Sequence, residues 1–229
     1  MRSWRQVRLE ADAGEPGLRA RKKQLTRDAL IRSAIGLFTE QGYERTTVDE
    51  IVAAVNVSQR TFFRYFNGKE DVALAPVTEI DERVLELLSE RPPSEPPLEA
   101  LRRSVRETWA GVREQTERIS GVTALARILR IVETAPGLSA AHAQRTMAFE
   151  ERLGREIARR ENLDYDSDPR PKLVVAIFTA VTRVASRCWG LDEDADLDAV
   201  AKTIEEHFDL LLPTLEGPWS PGADQGHGS

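Results

Sequence analysis

The chain has 229 residues, 41% hydrophobic and 31% charged, a balance that supports a packed core and excludes a disordered or fibrous chain. Its net charge of −6, taken as an average, argues against a polyanion such as nucleic acid as a partner. The single cysteine, Cys188, excludes a disulfide framework or thiolate cage, and no apolar run could cross a hydrocarbon core of about 30 Å, so a soluble protein of a reducing cytoplasm is expected, with no membrane partner.

Residues 1–18 hold Gly14, Pro16 and Gly17, mix Arg with Glu and Asp, and show no apolar period; they are expected to form a disordered arm rather than a signal peptide. From Thr26, Ala29, Leu30, Ala34, Leu37 and Phe38 recur at three- and four-residue steps, which predicts a helix capped by Thr26 and stopped by Gly42. Thr46 or Thr47 caps a short helix, Val48–Val55, with Val48, Ile51, Val52 and Val55 on its apolar face. Asn56 follows at a break that needs positive φ, which Asn tolerates next best after Gly. Ser58 then opens a third helix, Gln59–Tyr65, ended by Gly68.

Further helices are predicted at 69–90, 98–115, 119–133, 140–161, 170–190 and 197–215. Prolines punctuate the gaps: RPPSEPP at 91–97, Pro136, Pro169 and Pro171. Residues 217–229 read as a disordered tail, and no segment alternates as a strand does. The expected fold is all-α with about nine helices, divided into a three-helix domain over 19–68 and a larger helical domain over 69–216.

The stretch TVDEIVAAVNVSQRTFFRYF at 47–66 carries most of the functional information. Two short helices meet at a tight turn, and the second presents Gln59, Arg60 and Arg64 on its polar side. Phe62, Phe63 and Phe66 are expected to anchor it to the two helices before it. A short, rigidly held helix of this kind fits a major groove, where Arg and Gln form bidentate hydrogen bonds with purine edges.

From Arg27 to Val72 the chain resembles the DNA-binding domain of the tetracycline-repressor (TetR) family of bacterial transcription regulators. The likeness rests on Ala34, Leu37-Phe38, Gly42-Tyr43, Thr46-Thr47, Asp49-Glu50-Ile51, Val57-Ser58, Thr61-Phe62-Phe63, Tyr65-Phe66 and Lys69-Glu70 at fixed spacing. Asn56 stands where the family commonly has Gly, and Val52 where it often has Ala.

The resemblance implies that Thr47, the cap of the second helix, donates to a phosphate. It implies that Gln59 and Arg60 read bases, that Thr61 and Tyr65 contact phosphates beside the groove, and that Lys69 meets the DNA backbone. Ser58, at the start of the same helix, is placed with them, and Arg64 serves either purpose. The basic string Arg19, Arg21, Lys22 and Lys23 is expected to reach an adjacent groove or phosphate.

The resemblance further implies that the second domain binds a small-molecule effector and forms a homodimer, so that two reading helices meet a near-palindromic operator in double-stranded DNA. Val174, Ile177, Val181 and Val184 on one late helix, and Ile204, Phe208 and Leu211 on the next, are the candidate dimer face. Trp109, Val112, Leu125, Ile128, Leu129, Met147, Phe149 and Phe178 are the candidate pocket walls, and such walls favour a lipophilic ligand. The same stripes at helical spacing also serve as ordinary core, and that alternative stays open. No motif fixes the effector or distinguishes repressor from activator; repression is the family's usual mode.

Two rival readings rank below a regulator. His142, His207 and His227 are far apart, and there is no phosphate-cradling glycine loop or metal-binding histidine pair, so no cofactor, metal or catalytic residue is expected, and an α-helical enzyme is disfavoured. A protein-interaction module that has lost DNA binding is disfavoured by the retention of Arg60, Tyr65 and Lys69. The charge, finally, divides. From Arg19 to Lys69 ten basic residues face five acidic ones, a net of +5, so the rest of the chain carries −11. A basic head on an acidic body is compatible with specific binding of DNA.

Overall fold

Two hydroxyls begin the helices that matter most. Thr47, in extended conformation, accepts a hydrogen bond from the Glu50 amide while the Glu50 carboxylate accepts from the Thr47 amide at 2.8 Å, a reciprocal capping box. Ser58 Oγ accepts from the Thr61 amide at 3.1 Å and opens the next helix in the same way. Between them Asn56 lies at φ 55°, ψ 47°, the left-handed conformation expected of that turn. Its successor, Val57, returns an amide hydrogen bond to the Val52 carbonyl at 3.0 Å. Asn56→Ala is expected to cost about 1 kcal/mol in a urea unfolding experiment, with Asn56→Gly losing nothing. Gly42, at φ 89°, closes the helix before, as its position predicts.

The computed structural model describes residues 15–119, 128–132, 135–191 and 197–217, and these contain helices and turns but no strand. The helices are α1 (Glu15–Gln41), α2 (Val48–Val55), α3 (Gln59–Phe63), α4 (Lys69–Glu90) and α5 (Pro97–Ile119). They continue with α6 (128–132), α7 (Pro136–Arg160), α8 (Arg170–Leu191) and α9 (Leu197–Glu216). The first differs from expectation. It starts at Glu15 rather than Thr26, and Thr26 is no cap: its hydroxyl donates to the Lys22 carbonyl inside the helix at 2.9 Å. The extra turns carry exposed Leu18 and Leu25, so they have no buried stripe to betray them. The expected disordered arm at 1–18 therefore overlaps α1 at 15–18, and its first fourteen residues, like all but Gly217 of the tail at 217–229, lie outside the described residues.

The chain divides into two compact units. The first gathers the described residues up to Glu79 with those between Thr116 and His142; the second takes Ile80–Gln115 and the described residues from Ala143 on. The division thus falls within α4, not at its start. Leu30, Ala34 and Phe38 of α1, Ile51 of α2, Phe62 of α3 and Val72 and Leu74 of α4 form the first core, closed by Ile128 and Val132 of α6 and Leu138 of α7. The chain N-terminal to residue 69 cannot bury these faces alone, which is why α6 and the start of α7 belong with it.

The second unit is a helical bundle. Trp109 of α5 meets Trp189 of α8 with ring centroids 6.5 Å apart, and Phe178 of α8 stacks on Phe208 of α9 at 6.0 Å. The C-terminus of α4 is fastened by a distant side chain: Arg160 donates to the carbonyls of Leu88, Arg91, Pro92 and Glu95 at 2.7–3.4 Å. The Leu88 and Pro92 carbonyls also accept from the Arg91 and Glu95 amides, and the guanidinium gathers all four carbonyls with two nitrogens.

Candidate functional site

A five-residue helix has no stability of its own, so α3 must be fixed by its side chains. Phe62 does this, fully buried and packed against Phe66 with centroids 5.6 Å apart. Phe63, expected as a second anchor, is 54% exposed and only touches the edge of Phe62. The reason is rotational: consecutive helical residues differ by about 100°, so one of two adjacent phenylalanines must face away. Phe63 therefore shares the outer surface with the exposed Ser58, Gln59, Arg60 and Arg64, and sequence reasoning had missed it there.

That surface is pre-ordered. Gln59 Nε2 donates to Asp49 Oδ1 of α2, linking the two helices of the turn on their outer side. A carboxylate only accepts, which fixes the amide orientation. Arg64 lies over the Tyr65 ring at 5.1 Å and donates to its hydroxyl at 3.3 Å. Half-buried Thr61 shares a hydrogen bond with Ser58 at 3.0 Å between hydroxyls. Thr47 is exposed, but its hydroxyl also donates to Glu50 at 2.9 Å. Hydrogen bonds from Thr47, the backbone amide first, hold the Glu50 carboxyl below its usual range.

Lys69 points the other way from a free phosphate contact. Its ammonium donates to the Tyr43 and Glu44 carbonyls at 3.1 and 3.3 Å and sits 4.4 Å from the Tyr43 ring centroid. It thereby closes the turn after α1 onto the start of α4. Burial, and the Glu70 carboxylate after it, push the Tyr43 phenol up, so that ring remains neutral beneath the cation.

In the second unit Trp109, Phe149 and Phe178 are buried, as pocket walls or core would be. Met147 is 70% exposed, because the inward face of α7 is set by Phe149, Leu153 and Ile157 and leaves Met147 outside. Ile128 is buried, with Leu129 half-buried beside it, but in the core of the first unit, so the expected pocket loses both. The Val112 side chain and Leu125 lie outside the described residues. Of the expected dimer residues, Ile177 and Val184 are exposed and Val174, Val181 and Leu211 half-buried, whereas Ile204 and Phe208 are buried within the protomer. The outward apolar residues of α8 are instead Leu173, Ile177 and Val184, spaced as one helical stripe, with Leu210 exposed on α9.

A capped, rigid α3 with a basic outer face defines a helix-turn-helix DNA-binding protein. Residues 30–75 match the profile described as bacterial regulatory proteins of the tetR family, and residues 95–216 match that of the MftR C-terminal domain. The transcriptional regulator TcmR of Streptomyces glaucescens is 48% identical over 210 residues, spanning 91% of this chain and 92% of that one. The fold is also that of a TetR-family regulator from Syntrophomonas wolfei (TM-score 0.54, 18% identity, 88% of this chain and 99% of that one) and of the SmeT–triclosan complex (0.51, 16%, 89% and 100%). The chain belongs to the TetR family of transcriptional regulators; it is not an enzyme.

Proposed function

We propose that this protein is a cytoplasmic, ligand-responsive repressor that holds a near-palindromic operator as a homodimer. The observation that carries the reading is the outer face of α3, where Gln59, Arg60 and Phe63 are exposed on a helix fixed by buried Phe62. Gln59 and Arg60 read base edges, Phe63 is suited to a thymine methyl, and Thr47, Ser58, Thr61, Arg64 and Tyr65 surround them with phosphate contacts. Lys69 supports the backbone contact from behind: tied to the Tyr43 and Glu44 carbonyls, it holds the turn after α1 against the start of α4, whose helix end carries a partial positive charge. The dimer is supported by the exposed stripe of α8 and by Leu210 of α9, which two protomers would cover as a four-helix bundle. A small, largely apolar effector binds the second unit and shifts α4, which runs from Lys69 into that unit, altering the separation of the paired reading helices. The triclosan held by SmeT is in keeping with such a ligand.

Selection of bound sequences from a random duplex library at two salt concentrations tests this. An inverted repeat with half-sites about one helical turn apart is expected, with affinity falling by a log–log slope of about 0.9 per neutralised phosphate. No enriched repeat would overturn the proposal. Gln59→Ala with Arg60→Ala is expected to cost about 1–3 kcal/mol of base discrimination per lost contact. Lys69→Ala should weaken binding evenly across sequences. Asp49→Ala, which frees the Gln59 amide, should change the preferred base at one position only.

A further inference from the structure

Arg27 of α1 reaches two elements at once. Its guanidinium lies over the Phe66 ring, 5.4 Å from the centroid, and pairs with the Glu79 carboxylate of α4. Phe66 is buried and packs on Phe62, the ring that fixes α3, and its amide donates to the Phe62 carbonyl at 3.0 Å. Glu79 is the residue at which α4 leaves the first unit. A chain of contacts thus runs from α4 through Arg27 and Phe66 to the reading helix, wholly inside that unit. With its side chains 26% and 53% exposed, the ion pair adds little to stability. What it can set is geometry.

The backbone of α4 is weakest just before Glu79. Val72, Ala73, Leu74 and Ala75 are buried in the first core, and Pro76 follows them inside the helix. Proline has no amide, so the Val72 carbonyl loses its helical donor, and the ring crowds that carbonyl. Two residues on, the Thr78 hydroxyl donates to the Leu74 carbonyl at 3.0 Å, a bond that competes with the ladder and favours bending. Helices bend at such places. A turn without full backbone support therefore separates the packed segment 72–75 from Glu79, and Arg27 ties the far side of that turn to α1.

We propose that Arg27 is a positioning residue for DNA reading. Paired with Glu79, it holds Phe66 against Phe62, and so holds α3 in the posture that fits the groove; a bend of α4 at Pro76 that parts the pair releases that hold. This rests on the reading that α3 recognises an operator. The sign of one substitution separates it from plain electrostatics. As an exposed carboxylate in the DNA-binding unit, Glu79 repels phosphates, and neutralising it should tighten binding. As the partner of Arg27 it supports binding, and neutralising it should weaken it.

The full-length protein and the duplex it selects from a random library test this, by fluorescence anisotropy at two salt concentrations. Glu79→Gln should weaken binding about two- to fivefold, the range of one part-exposed ion pair, and Arg27→Gln should do the same. Joined in one chain, the two changes should cost no more than the larger alone. The exchange of Arg27→Glu with Glu79→Arg should recover part of what Arg27→Glu alone loses. Native-state hydrogen exchange adds a readout that simple loss of stability would not give. In Glu79→Gln the Tyr65 and Phe66 amides, which both donate to the Phe62 carbonyl, should exchange faster, while those of Ala34 and Ile35 in the α1 core keep their rates. Unchanged or tighter binding by Glu79→Gln, additive losses, or an Arg27→Gln effect that is only a salt slope smaller by about 0.9, the mark of a phosphate contact, would each overturn the proposal. Because Glu79 is exposed, its substitution decides the matter even if Arg27→Gln fails to fold. A library that yields no enriched duplex would overturn the operator reading itself, and this proposal with it.

Discussion

Phe62→Ala is expected to destabilise the first unit by about 3–5 kcal/mol and to abolish operator binding. The side chain is fully buried and is the chief tie between five residues of α3 and the core of α1, α2 and α4. Removing it leaves a cavity and a helix too short to persist unaided. Urea unfolding followed by circular dichroism would give the loss, and a binding titration would give its consequence. The neighbouring change provides the contrast. Phe63→Ala removes an exposed ring, so its effect on stability should stay within about 0.5 kcal/mol while sequence preference falls. Similar destabilisation by both substitutions would contradict the assignment of one ring to the core and the other to the groove.

Between pH 5 and pH 8 the protein should lose stability that an Asp81→Asn variant keeps. In the folded chain the Asp81 carboxyl is raised from 3.8 to about 7, so the folded state holds a proton in that window that the unfolded state has released. Stability is therefore greatest at low pH for this group, declines as pH rises from about 4, and levels off about a unit above the folded value. The shift corresponds to a total on the order of 4 kcal/mol, with about 2 kcal/mol of it between pH 5 and 7. The carboxyls of Glu50, Glu82, Asp164 and Asp168 are lowered and act with the opposite sign, but only below their usual range, outside this window. Chemical denaturation at several pH values should give a falling curve for the unaltered protein and a flatter, higher one for the variant above pH 7. Coincident curves would show that the site of Asp81 does not disfavour its charge.

The reading helix was legible in the sequence because its constraints are local. Asn56 had to take positive φ, Ser58 had a free amide to cap, and Gly68 ended the block, so α4 begins at Lys69 as its neighbours require. The first turns of α1 were not legible, since a helix solvated on every side leaves no apolar period. Nor could spacing decide between Phe62 and Phe63, which differ only in the phase of a helix too short to reveal one. The bond between Asp49 and Gln59, and the tie of Lys69 to the Tyr43 and Glu44 carbonyls, depend on tertiary placement. Asp81 was hidden for a different reason: beside Glu82 and near Arg83 it looks like any charged surface, and only burial separates it from them. Likewise Ile204 and Phe208 are as apolar as a dimer seam demands, but the protomer uses them itself.

Cys188 is exposed on α8, and it is the chain's sole cysteine. A nitroxide or fluorophore attached to that thiol would mark each protomer once, without any engineered site. In the proposed two-fold assembly the pair of labels defines a single distance between subunits, a ruler already built into the native sequence. Its value and its spread, with operator or effector added in turn, would report how far the two subunits move and whether they move together.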